Sequence, residues 1–90
     1  MLQIIEAIEK RLLLKFQYKT NTFRNADVYA LGLGIKGELM IRAFEDGIFK
    51  LFKVTEMNNI TVTSTKCYGH KSGYNTSTDK AFIKVLKKVK

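Results

Sequence analysis

The sequence predicts an α+β, mainly β, domain: a small, partly closed antiparallel barrel of five short strands with a helix at each end. Three observations carry this. Apolar and polar residues alternate at period two through much of residues 12–65. The links between these runs are of hairpin length, which makes the sheet antiparallel. The two ends of the chain instead repeat their apolar residues at helical spacing. Ninety residues, 46% of them apolar, suit one domain (1–90) with one modest core. Doubly wound sheets and (β/α)₈ barrels are excluded by length.

Residues 2–11 read as a helix, with Ile4, Ile5, Ile8 and Leu12 on one stripe and Glu6, Glu9 and Lys10 off it. In Leu12–Lys19, Leu14, Phe16 and Tyr18 alternate with Lys15, Gln17 and Lys19, a half-buried strand. Thr20-Asn21-Thr22 turns into a second strand over Phe23–Leu33. Gly32 and Gly34 end or bend it, since glycine accepts the dihedrals of a turn. Ile35-Lys36-Gly37 is a hairpin loop, and Glu38–Phe44 a third strand. Asp46-Gly47 between apolar runs is the strongest short-range hairpin signal and leads into a fourth strand, Ile48–Val54. Glu56–Asn59 connects to a fifth, Ile60–Thr65. Lys66–Asn75 reads as a loop. From about Ser77 a second helix is expected, capped by Thr76 or Ser77, with Asp79 in its first turn. Phe82, Val85, Leu86 and Val89 make its apolar stripe.

Charge narrows the partners. The chain has 16 Lys/Arg against 8 Asp/Glu, a net +8. Residues 46–90 carry 9 basic and 3 acidic groups, residues 1–45 carry 7 and 5. Lysine outnumbers arginine 13 to 3, which favours non-specific phosphate attraction over base reading. No apolar run approaches a membrane span, and acids interrupt the first apolar stretch, unlike a signal peptide. The one cysteine, Cys67, rules out an intrachain disulfide and a cysteine metal cluster, and the expected compartment is the cytoplasm. One histidine and no acidic pair placed by a motif give no catalytic constellation. The expectation is a non-enzyme without cofactor or metal.

Several stretches in order resemble one family. Glu6-Ala7-Ile8 followed by Leu14-Lys15-Phe16-Gln17-Tyr18 is similar to the opening of the WYL domain. Arg24–Gly32 resembles its "R-x-V-E-P-Y-x-L-G" stretch, with Val28 in place of the proline. Ile41-Arg42-Ala43-Phe44 and Lys50-Leu51-Phe52-Lys53-Val54 resemble its next two strands. Gly73-Tyr74-Asn75 with Asp79-Lys80 resembles the tail of small stand-alone members. The naming Trp-Tyr-Leu triplet is absent, with Glu38-Leu39-Met40 near its place, and Glu56 stands where the family has a cation. The resemblance implies an Sm-like (SH3-like) barrel acting as a regulatory module in bacterial or phage proteins. It also implies a nucleic acid or nucleotide ligand.

The candidate contacts are Arg42 and Lys50 at a pocket, Arg24 and Lys53 on its rim, and Tyr29 as a stacking ring. Arg42 lies between Met40 and Phe44 on one strand face. It either holds an anion in a partly desolvated place or snorkels over a hydrophobic seam. Lys50 and Lys53 face opposite ways; both are also ordinary strand lysines on the plainer reading. Lys66, Tyr68, His70, Lys71 and Tyr74 mix cations with rings, the ingredients of single-strand binding, but the preferred reading of Tyr68 and Tyr74 is that they pin the loop to the barrel. Lys80, Lys84, Lys87, Lys88 and Lys90 crowd the last segment as either an electrostatic footprint or a solubilising face. The third and fourth strands are expected to bury both faces, with Ile41 and Phe52 inside. Met40, Phe44, Phe49 and Leu51 then need cover from Phe82 and Leu86 of the last helix, or from a second copy. The functional expectation is binding of nucleic acid, preferably single-stranded, or of a nucleotide. The alternative is a protein-interaction or dimerisation module that modulates a larger regulator.

Overall fold

The computed structural model describes residues 1–68 and 74–89. Element order is α1 (Leu2–Lys10), β1 (Leu12–Tyr18), β2 (Phe23–Leu33), β3 (Leu39–Glu45), β4 (Ile48–Lys53), β5 (Met57–Lys66) and β6 (Lys84–Lys88). Single 3-10 turns occupy Val54–Glu56 and Thr76–Thr78. His70, Lys71, Gly73 and Lys90, singled out above, lie outside the described residues.

The six strands form one antiparallel sheet in the order β4-β3-β2-β1-β5, with β6 also paired to β2. The long β2 changes partner part-way. Its start, Phe23–Ala26, pairs β1; Asp27–Leu33 pairs β3, and Ala30–Leu33 pairs β6 as well. Among the described residues no ladder joins β4 to β5, so the sheet is not closed into a barrel. No described helix is long and apolar enough to cross a membrane.

Period two placed the strands well, because each half-buried run alternates over one core. Ile4, Ala7 and Ile8 of α1 pack onto Leu14, Phe16, Val28, Leu31, Ile41 and Phe52. Rings of Phe16, Tyr18 and Phe52 meet edge to face there. Such pairs add about 0.5–1.5 kcal/mol each beyond burial. Asp46 and Gly47 both take positive φ, 53° and 83°, as a two-residue hairpin turn requires. β5 starts earlier than expected, at Met57, because the 3-10 turn shortens the connection.

The C-terminal helix is not there. Residues 84–88 form a strand, β6, that completes the second edge of β2. Two physical terms favour this outcome. A helix would stack Lys80, Lys84 and Lys88 at i, i+4, each like-charge pair costing a few tenths of a kcal/mol. The strand instead satisfies backbone groups of β2 that would otherwise lack partners. Ladder bonds from the Ile83 and Val89 N–H groups to the Leu33 and Tyr29 carbonyls extend it at both ends. Asn75, not Thr76 or Ser77, caps the short turn, accepting from the Ser77 N–H at 2.9 Å.

Gly32 is required for a different reason from turn geometry. It sits inside β2 opposite Met40 and Val85. A Cβ there would lie 2.5 Å from the Lys84 carbonyl oxygen and 2.6 Å from the Phe82 ring. The missing side chain lets residues 82–84 lie flat on the sheet. The Phe82 ring therefore lies over β2 at Gly32, from a strand lead-in rather than from a helix. Leu86 is exposed. β3 buries both faces, Met40 on one and Ile41 on the other, while Leu51 of β4 stays exposed.

Candidate functional site

The second face of β3 and β4 carries Met40, Arg42 and Phe44 beside Phe49, Leu51 and Lys53. Residues 74–83 cross this face and close over part of it. Tyr74 stacks on Phe49, with centroids 5.0 Å apart and planes at 28°. Tyr29 meets both rings edge-on, and Phe44 flanks Phe49 at 5.0 Å. Tyr29 is only 2% exposed, so in this arrangement no base reaches its ring.

Arg42 ends at an anion supplied by its own chain. Its Nε and Nη2 donate to the two Asp79 oxygens at 2.9 and 3.0 Å. The same carboxylate accepts from the Tyr74 hydroxyl at 2.9 Å and the Ala81 N–H at 3.1 Å. Burial alone would raise the Asp79 pKa. The Arg42 fork, the Ala81 N–H and the Tyr74 hydroxyl outweigh it, and the net shift is downward. The Tyr74 phenol moves up, through burial and through donating to that carboxylate. A shallow cavity of about 250 Å³ beside the pair is lined by Arg42, Phe49, Tyr74 and Lys80 among others.

The other arginines are held the same way. Arg11 caps α1 and grips the buried Asp27 at 2.6 and 3.2 Å, with its guanidinium 5.0 Å from the Tyr29 ring centre. Arg24 lies over Phe52 and 3.4 Å from the buried Glu45. Lys50 reaches the same Glu45 at 2.9 Å and Asp46 at 3.8 Å. The five predicted contact residues are thus split. Arg42 shares the Asp79 carboxylate with the Tyr74 hydroxyl and Tyr29 meets the Tyr74 ring, while Arg24 and Lys50 converge on Glu45. Lys53 is exposed, and among the described residues only its backbone is engaged, its N–H donating to the Tyr18 hydroxyl. Glu56, the sign reversal noted above, accepts from the Tyr18 hydroxyl and pairs with Lys19.

With the arginines neutralised, the surplus charge is all lysine. Among the described residues Lys15, Lys36, Lys53, Lys66, Lys80, Lys84 and Lys88 have no carboxylate within ion-pair distance. Two of these sit beside exposed rings on one side of the molecule. Leu14 and Phe16 point into the core, so Lys15 and Gln17 point out, opposite Asn25 and Phe23. The Lys15 ammonium lies 4.8 Å from the centre of the Phe23 ring, which is 45% exposed. Next to them Leu13, Asn25, Lys66 and Tyr68, together with the carboxylates of Asp27, Glu45 and Asp46, line an open groove of about 330 Å³. The three carboxylates are paired with Arg11, Arg24 or Lys50, the Lys66 ammonium is 3.5 Å from the Lys10 carbonyl, and Tyr68 is 81% exposed. Of the two tyrosines, Tyr74 packs on Phe49 and bonds Asp79, whereas Tyr68 is exposed. Sequence reading passed over Lys15 and Phe23 as a contact pair. The alternation of β1 exposes Lys15, but only the β1–β2 register brings Phe23 to it.

Comparison with family models, with curated proteins and with solved structures gave no match.

Proposed function

We propose that this protein binds single-stranded nucleic acid, without chemistry, on the outer face of β5-β1-β2. One observation carries the reading: two exposed rings, Phe23 and Tyr68, lie beside two lysines without ion pairs, Lys15 and Lys66. Base–aromatic stacking contributes about 1–3 kcal/mol per base and tolerates any sequence. Lysine supplies phosphate attraction without geometric selectivity. A sheet face gives splayed bases a platform, whereas α1, packed on the core, offers no helix for a duplex groove. Asp79 competes with any ligand phosphate for Arg42, and this favours the outer face over the Arg42 pocket for the first contact.

We propose further that the chain is a WYL-like regulatory module of the cytoplasm. The mid-strand change of partner in β2 and the 3-10 link from β4 to β5 support an opened form of an Sm-like barrel. A second reading, protein interaction, draws on the exposed Ile48 and Leu51 of β4.

The test is a titration of short labelled single-stranded DNA and RNA at low and moderate salt. Affinity is expected to fall with salt and to drop about ten-fold or more in Phe23→Ala with Tyr68→Ala. No binding at low salt, or binding indifferent to both rings, overturns the proposal and favours protein interaction, whose apolar contacts survive salt.

A further inference from the structure

We propose that β4 pairs with β4 of a second copy of this chain, antiparallel, with Leu51 on the two-fold axis. The inference stands apart from the nucleic-acid reading, and its readout needs no oligonucleotide.

Three strands, β4, β5 and β6, each pair with one other strand among the described residues. Edges are protected by lysines, bulges and twist. β6 has both: Lys84 and Lys88, and a register shift at Leu86. Self-pairing there would oppose Lys84 to Lys88. β5 has two register shifts against β1 and a positive φ at Asn59. β4 carries Lys50 and Lys53 but no register shift. Its six residues pair β3 in unbroken register, from Met40↔Lys53 to Glu45↔Ile48. Ile48 and Leu51 are 58% and 38% exposed.

The turn fixes which backbone groups are free. A two-residue loop makes Glu45↔Ile48 a hydrogen-bonded pair, so Phe49, Leu51 and Lys53 point their N–H and C=O away from β3. The Lys53 N–H confirms this phase by donating to the Tyr18 hydroxyl at 2.9 Å. Two such edges must match outward residues with outward residues, which leaves two central registers. One sets Lys50 directly against Lys50, a like-charge pair that opposes pairing. The other sets Leu51 against Leu51 and Phe49 against Lys53. It forms four backbone bonds: two between the Leu51 residues, and two from the Phe49 N–H groups to the Lys53 carbonyls. It places no like charges opposite one another. The edge is therefore complementary to itself in one register, as an isologous interface must be.

The test is cysteine cross-linking and sedimentation of the full chain. In a Cys67→Ser background, Leu51→Cys should give a disulfide-linked dimer under mild oxidation, reversed by reductant. Ile35→Cys, on the exposed β2–β3 loop, should cross-link at least ten-fold more slowly. The unmodified chain should double its mass with rising concentration, and Leu51→Lys should weaken that association at least ten-fold with its circular dichroism unchanged. A chain that stays monomeric at millimolar concentration overturns the proposal. So does a Leu51→Cys rate no greater than that of Ile35→Cys, or a dimer indifferent to Leu51→Lys.

Discussion

Replacing Arg42 with alanine should cost about 2–3 kcal/mol of folding stability. The substitution removes two charge-assisted hydrogen bonds from an almost wholly buried carboxylate. Such bonds contribute about 1.5–3 kcal/mol each in general. Asp79 keeps the Tyr74 hydroxyl and the Ala81 N–H, and the adjoining cavity admits water, so the lower end applies. For a domain of this size the loss corresponds to a fall in Tm of about 10–20 °C. Arg42→Lys, a point charge without the fork, should recover roughly half. The effect should depend on pH in one direction. The folded Asp79 pKa lies below its unfolded value, so its contribution is fully present above about pH 4. It is lost as pH falls through the folded pKa, and the wild-type and Arg42→Ala stabilities should converge in acid. Urea melts at pH 7 and pH 3 measure this. A difference under about 0.5 kcal/mol at pH 7, or one unchanged at pH 3, would refute the view of Arg42 as the staple for residues 74–83.

Two further outcomes follow from the packing. Gly32→Ala should lower stability by about 1–3 kcal/mol, because the new methyl meets the Lys84 carbonyl and the Phe82 ring; thermal melts check this. Tyr29→Ala should lose about 3 kcal/mol in urea melts by opening a cavity among Phe49, Tyr74 and Arg11. Where it remains folded, its oligonucleotide affinity should stay within about two-fold of wild type, whereas Tyr68→Ala should lose about ten-fold.

The strands were legible because one core enforces period two. Leu14 and Phe16, and the Asp46-Gly47 turn, mark their elements directly. The C-terminal segment was not, since Phe82, Val85, Leu86 and Val89 satisfy a helical stripe by spacing alone. The unfilled edge of β2 decided it, and that edge exists only in the assembled sheet. Tyr29 misled for a related reason. It belongs to the run Ala26–Gly32, buried on both faces, where alternation carries no information about exposure. The Arg42–Asp79 pair joins residues 37 apart, and Asp79 was read as a helix-dipole anion because local sequence offered that partner first. Nothing in composition separates a lysine that has a carboxylate from one that lacks it, so the surplus on Lys15 and Lys66 emerged only from the fold.

The most direct measurement of the central claim is an amide chemical-shift map of the labelled protein titrated with a short single-stranded oligonucleotide at low salt. The shifts should concentrate at Lys15, Phe23, Asn25, Lys66 and Tyr68, and added salt should abolish them. Shifts confined to Arg42, Phe49 and Tyr74, or an unchanged spectrum at saturating oligonucleotide, would contradict binding on the outer face of β5-β1-β2.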